Sequence, residues 1–327
     1  AEAESPAAEL VAYGDLVTRF RDDEEPGVRE YVAKAMANAA IVLDGLGSWD
    51  QSLATADEVV ARYGDDPDPG MRATVARVLV SKASTLRRLG ATRSEIATYD
   101  DIIDAYRDDV AARPHVARAL FNKGVAQGSL GATALELAAY DELVIGFGDA
   151  EDLEVRESVA MGMVNAAITV DDAGEHEAAV QRYDDLVSRF HDDPEPEIRL
   201  QVAGALLNRG VVLGRLESSA VEIAVYDELV ALYGDDPAPA MRLCVIRPWS
   251  TRPSPWVAPT GPSSCWRRTL RHRTVRGGHR PQMRDQVAHA ALNRAVTLAR
   301  LGRDEEAVVQ FGELVDRFGP DAGPSIR

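Results

Sequence analysis

The 327-residue sequence predicts an all-α fold, an α-α superhelix (solenoid) of stacked antiparallel helical hairpins. Three observations predict it. A short motif returns about every 43 positions. An arginine returns in the same register. Apolar residues between them recur at steps of three and four, and no stretch shows the alternation of a β-strand.

The copies can be followed along the chain. They are "YGDLVTRFRDD" from Tyr13, "ADEVVARYGDD" from Ala56, "YDDIIDAYRDD" from Tyr99, "YDELVIGFGDA" from Tyr140, "YDDLVSRFHDD" from Tyr183, "YDELVALYGDD" from Tyr226 and "FGELVDRFGPD" from Phe311. The last interval is one residue short of two periods. The arginines are Arg29, Arg72, Arg113, Arg156, Arg199, Arg242, Arg284 and Arg327, and they keep the period throughout.

Each unit reads as two helices. In 285–301, Val287, Ala291, Leu292, Ala295 and Leu298 form one apolar stripe, and Gly302 can end the helix in a left-handed conformation. The following helix repeats the pattern through Val308, Phe311, Leu314 and Phe318. Between units stand "GDDPDP" at 64–69, "HDDPEP" at 191–196 and "GDDPAP" at 234–239. Gly or His stops one helix there, Asp can cap the next, and Pro suits its first turn. The array opens inside a second helix at 7–21 and ends as a new first helix begins at "GPSIR", so it reads as a piece of a longer protein.

The order N-x-G-x-x-L-G-x-L, then G-x-x-E-E-A and an aromatic residue four positions later, resembles the tetratricopeptide repeat. The copies that carry it best are "NRGVVLGRL" at 208–216 and "LGRDEEAVVQF" at 301–311. The resemblance covers nearly the whole chain. It implies first helices packed through small residues such as Gly124, Gly210 and Ala295. It also implies second helices carrying a small residue such as Ala307 before Tyr99, Tyr140, Tyr183, Tyr226 or Phe311. The period of about 43 exceeds the usual ~34 and matches HEAT repeats better, but the Gly–Glu–Ala–aromatic spacing is the more specific signal. Glu95 and Glu136 stand where a small residue is expected, and Glu217 replaces the glycine between helices.

Three stretches divide the chain: repeats at 1–245, an irregular segment at 246–280 and resumed repeats at 281–327. The segment, which includes "RPWSTRPSPW", holds eight Arg, five Pro, three of the four Trp and no Asp or Glu. Pro at that density opposes a continuous helix. Codons that encode it, read one base out of phase, permit Ala-Leu-Val-Asn-Lys-Ala-Val-Ala-Leu-Gly, which matches "ALLNRGVVLG" at 205–214. One lost base followed by two more would leave the unit one residue short, as observed. A frame excursion is therefore the leading reading of 246–280; a disordered insertion and a selected basic site are the alternatives.

The search for chemistry returns little. The six His do not cluster, and two Cys supply neither a disulfide framework nor a metal site. No metalloprotease, phosphate-loop or nucleophile-elbow spacing occurs. The acid pairs Asp22–Asp23, Asp65–Asp66, Asp108–Asp109, Asp192–Asp193 and Asp235–Asp236 follow the period, which favours helix capping over catalysis. The recurrent arginines are expected to bridge to acids of the neighbouring unit, for example Asp100, Asp141, Asp184 and Asp227. No catalytic residue, metal or small-molecule cofactor is expected.

The polar positions that stand out are Asn38, Asn122, Asn165, Asn208 and Asn293 on the first helices, with the adjacent cations Lys123, Arg209 and Arg294. By resemblance, first helices line a concave groove, where such residues hold an extended peptide by its backbone or a carboxylate. The other reading is that each Asn bonds a neighbouring helix; an amide offers donors and an acceptor to either.

The expected function is a non-enzymatic scaffold that binds a protein or peptide in the groove. A net charge of −17 favours a basic partner and disfavours nucleic acid. Two alternatives stay open: a sensor or regulatory arm of a larger bacterial multidomain protein, and nucleic-acid contact through the Arg-rich 267–280. Arg far outnumbers Lys, and with abundant Ala this composition points to a GC-rich bacterial genome. With no secretory leader and no membrane span in view, a cytoplasmic location is expected.

Overall fold

The computed structural model describes residues 5–234 and 283–318. The segment 246–280 with its frame reading, Asp235–Asp236, Arg242 and Arg327 lie outside the described residues, as does the ending at "GPSIR". Among the described residues there are thirteen helices and no strand. They are α1 (Pro6–Phe20), α2 (Pro26–Gly45), α3 (Trp49–Tyr63), α4 (Pro69–Arg88), α5 (Thr92–Tyr106), α6 (Arg113–Ser129) and α7 (Thr133–Phe147). Then come α8 (Leu153–Asp172), α9 (His176–Phe190), α10 (Pro196–Arg215), α11 (Ser219–Tyr233), α12 (Met283–Arg300) and α13 (Asp304–Phe318). None of these helices is long and apolar enough to cross a membrane.

The chain forms two compact units, 1–166 and 167–327, divided within α8. In the first unit each helix from α1 to α7 packs on its sequence neighbour, and the first helices α2, α4 and α6 also meet one another. In the second unit α9 packs on α10, α10 on α11, α11 on α12 and α12 on α13, and the first helices α10 and α12 touch. The all-α solenoid of helical hairpins expected from the repeat is the fold observed.

Local chemistry sets the boundaries. Pro26, Pro69 and Pro196 open their helices at positions whose amide has no helical partner anyway. Asp68 caps α4 by accepting the Met71 amide at 2.9 Å. Within hairpins the chain turns through a left-handed residue, Gly47, Gly90, Gly131, Gly174 or Gly302, with φ between 71° and 85°. Glu217 takes that place between α10 and α11 at φ 57°, an uncommon conformation for a residue with a side chain.

The core is the repeat aromatic seen from the inside. Tyr99, Tyr140, Tyr183 and Tyr226 are each 1% exposed. The ring of Tyr140 lies where a Cβ on Gly124 would have to be, and Tyr226 does the same over Gly210. The equivalent positions on α4 and α12 are Ala83 and Ala295, both fully buried. A small residue is required there because a ring occupies the space, so the N-x-G signal is a packing signal.

Candidate functional site

The first helices place the Asn series against the tyrosines of the preceding hairpin. Asn165 donates from Nδ2 to the Tyr140 hydroxyl at 3.2 Å. Asn208 bonds the Tyr183 hydroxyl, and Asn293 bonds that of Tyr226. Burial pushes the Tyr99, Tyr183 and Tyr226 hydroxyls well above their ordinary titration range, so they remain neutral hydrogen-bonding groups. Asn38 and Asn122 differ. The Oδ1 of Asn38 accepts from Arg77 Nη1 at 3.1 Å, and the Oδ1 of Asn122 is buried without a hydrogen-bond partner.

The cations beside the Asn series form a second ladder. Lys123 pairs with Asp100 at 2.6 Å, Arg209 with Asp184 at 2.8 Å and Arg294 with Asp227 at 2.5 Å. Lys82, at the same repeat position, pairs with Asp57 at 2.6 Å. Each pair joins a first helix to the second helix before it. Asp100, Asp184 and Asp227 are thus taken by this series and not by the period-marking arginines.

Arg29 and Arg72 of the period-marking series depart from the expectation. Arg29 binds Asp66 at 2.6 Å and Arg72 binds Asp109 at 2.5 Å, each within one hairpin, from the start of its first helix to the turn that follows its second. Arg72 also lies over the Tyr106 ring at 4.9 Å, and Arg113 over Phe147 at 5.6 Å. The turn acids correct it too. Oδ1 of Asp23, Asp66, Asp109 and Asp193 accepts the amide two residues on, which shapes the turn instead of capping the helix. A turn carboxylate that orders its own loop while holding an arginine, Asp66 or Asp109, closes the α2–α3 and α4–α5 hairpins at their open ends.

Three buried glutamates are a feature whose partners the sequence did not reveal. Glu95, Glu136 and Glu222 are 1–5% exposed at the position filled elsewhere by Ala179 or Ala307. Glu95 accepts from Arg87 Nε at 2.5 Å, and Arg87 Nη2 reaches the Tyr99 hydroxyl at 3.0 Å. Glu222 accepts from Thr297 Oγ1 at 2.8 Å and from Arg300 Nη2 at 2.9 Å. Burial raises the carboxyl pKa of both above the ordinary value. Gly128 and Gly214 leave room: a Cβ on either would come within 2.5 Å or 2.9 Å of the Glu136 or Glu222 carboxylate. The legible signal was the pairing of Gly128 with Glu136 and Gly214 with Glu222.

A row of cations on the first helices of the first unit remains. Lys34 of α2, Arg77 of α4 and Arg118 of α6 share one repeat position. Lys34 pairs with Glu30 at 2.6 Å, and Arg118 loosely with Glu154 at 3.4 Å, both in exposed geometry. Arg77 is half-buried and, among the described residues, pairs with no carboxylate; its hydrogen-bond partner is the neutral Asn38 amide. Burial lowers its pKa from the ordinary value. His115 of α6 sits close enough to Arg118 and Arg77 to respond to their charge. Burial first, then those two cations, bring it down to about 4. Neutral His115 beside Arg77 and Arg118 marks a local surplus of positive charge in a chain of net charge −17. Such a surplus attracts an anionic group from outside. No group of His, Cys, Asp or Glu suited to hold a metal occurs among the described residues.

No protein-family profile matches the chain, and no curated protein matches it in sequence. Solved structures do match in fold. BtubC (BKLC) from P. vanneervenii is similar at TM-score 0.55 and 13% identity, over 75% of this chain and 98% of its own. The apo form of RapI is similar at TM-score 0.57 and 10% identity, over 96% of this chain and 77% of its own. A tetratricopeptide repeat protein from Parabacteroides merdae overlays at TM-score 0.43 and 11% identity, over 95% of this chain and 87% of its own. By its own packing, and by its likeness to BtubC and RapI, this chain has the fold of an all-α array of stacked helical hairpins.

Proposed function

We propose that the protein is a non-enzymatic scaffold that binds a peptide or protein segment along the first helices of the first unit. The segment presents a carboxylate to the row of Lys34, Arg77, His115 and Arg118. Arg77 carries this reading. A half-buried guanidinium bonded to an amide and to no carboxylate has lost solvation without gaining a counter-charge, and an incoming anion supplies one. Asn38 belongs to the same surface, where its Oδ1 holds the Arg77 guanidinium.

For Asn165, Asn208, Asn293, Lys123, Arg209 and Arg294, the internal partners described above favour holding successive hairpins together. They stiffen the surface, and a preformed surface costs less to order on binding. The net charge of −17 sets a preference for basic residues in the partner outside the carboxylate that Arg77 takes. A cytoplasmic location suits this reading.

Selection from a random peptide display library against the intact protein tests the proposal. Enriched peptides should share a carboxylate in a fixed position. Enrichment of sequences without Asp, Glu or a free C-terminus at that position would overturn it.

A further inference from the structure

α12 meets α11 through the contacts that join each first helix to the second helix before it. Asn293 bonds the Tyr226 hydroxyl, as Asn165 bonds Tyr140. Arg294 pairs with Asp227 at 2.5 Å, as Lys123 pairs with Asp100. Ala295 fills the small-residue position, and Ile223, Leu298 and Ala307 make one buried cluster. Thr297 and Arg300 satisfy Glu222, the buried acid of α11. Between first helices, a Cβ on Gly204 of α10 would stand 3.8 Å from the Gln286 amide nitrogen of α12.

The spacing is what differs. Arg294 and Asp227 lie 67 positions apart. Lys123 and Asp100, in the same relation, lie about one repeat closer in sequence. The sequence repeats itself across the interval: "GDDPAPAMR" at 234–242 ends in Pro-Ala-Met-Arg, and 281–284 reads Pro-Gln-Met-Arg.

We infer that α12–α13 is the structural successor of the α10–α11 hairpin, and that its docking requires nothing of residues 239–280. Three polar groups of α11 have their partners on α12: Glu222, Tyr226 and Asp227. The surface of first helices in the second unit passes from α10 directly to α12. The series of hairpin-joining residues runs on from Asn208 and Arg209 to Asn293 and Arg294.

Deleting 239–280 from the full chain tests this without introducing a foreign residue. The product reads Gly-Asp-Asp-Pro-Ala-Pro-Gln-Met-Arg across the junction, an ordinary inter-hairpin turn. Amide exchange should show α11, α12 and α13 as protected as in the parent, with a melting midpoint within about 3 °C. Loss of protection in α12, or failure of the deleted chain to fold, would overturn the inference. A second variant reads the same seam with the chain length unchanged. Leu298→Asp buries a charge where α12 faces α11, and it should expose α11 amides as well as those of α12–α13. Protection in α11 that stays at the parent level would show that α12 is not its cover.

Discussion

Arg87 and Glu95 show at the residue scale how an exception to the repeat is accommodated. The carboxylate stands where Ala179 and Ala307 stand in other hairpins, and the Arg87 guanidinium neutralises it while holding the Tyr99 hydroxyl. Removing one partner of a buried pair costs more than the pair contributes, because the other charge is left alone. Arg87→Ala is therefore expected to lower stability by about 3–5 kcal/mol in urea unfolding. Adding Glu95→Ala should return most of that loss, and a double variant as unstable as Arg87→Ala would count against the pairing. His115 provides a pH test. Its folded pKa is about 4, below the ordinary value of 6.5. Between those values the unfolded chain holds a proton that the folded chain does not, so stability falls as pH drops from about 6.5 towards 4. The whole effect is no more than about 3 kcal/mol. His115→Gln should flatten that part of the pH–stability curve, and an unchanged slope would assign the proton to another group.

The hairpin is the element, and most of it was legible. Period, apolar stripe and turn chemistry placed helices within two residues, as at 7–21 against Pro6–Phe20 and 285–301 against Met283–Arg300. The partners of polar side chains were not legible in the same way. The recurrent Arg and the cation beside the Asn have the same charge and the same period. Which aspartate each takes depends on which end of the hairpin it occupies, and periodicity does not distinguish the ends. Arg29 therefore meets Asp66, while Lys123 meets Asp100. The glycine between helices tells the opposite story: its loss at Glu217 was visible in sequence and leaves a side-chain residue at φ 57°. Glu217→Gly should relieve that strain and raise stability by about 0.5–1 kcal/mol, the gain being limited by the freer unfolded chain. A melt that moves down instead would mean the Glu217 side chain makes a contribution larger than the strain.

On the scale of the whole molecule, the repeated chemistry serves assembly and the departures from it point to function. Asn165, Asn208 and Asn293 with their tyrosines, and Lys82, Lys123, Arg209 and Arg294 with their aspartates, recur because each junction needs them. The cationic row was missed in sequence because Lys34, Arg77 and Arg118 are ordinary surface charges until burial and partners are known. Arg77 stands out only once its neighbours are seen to include an amide and no carboxylate. The binding account stands or falls on that guanidinium. The most direct measurement is the affinity of a library-selected, carboxylate-bearing peptide for the parent protein and for Arg77→Gln, by fluorescence anisotropy at fixed salt. A loss of about tenfold or more, with an unchanged melting midpoint, is the result the account expects for one charge-assisted hydrogen bond. Equal affinity for the two proteins would contradict it.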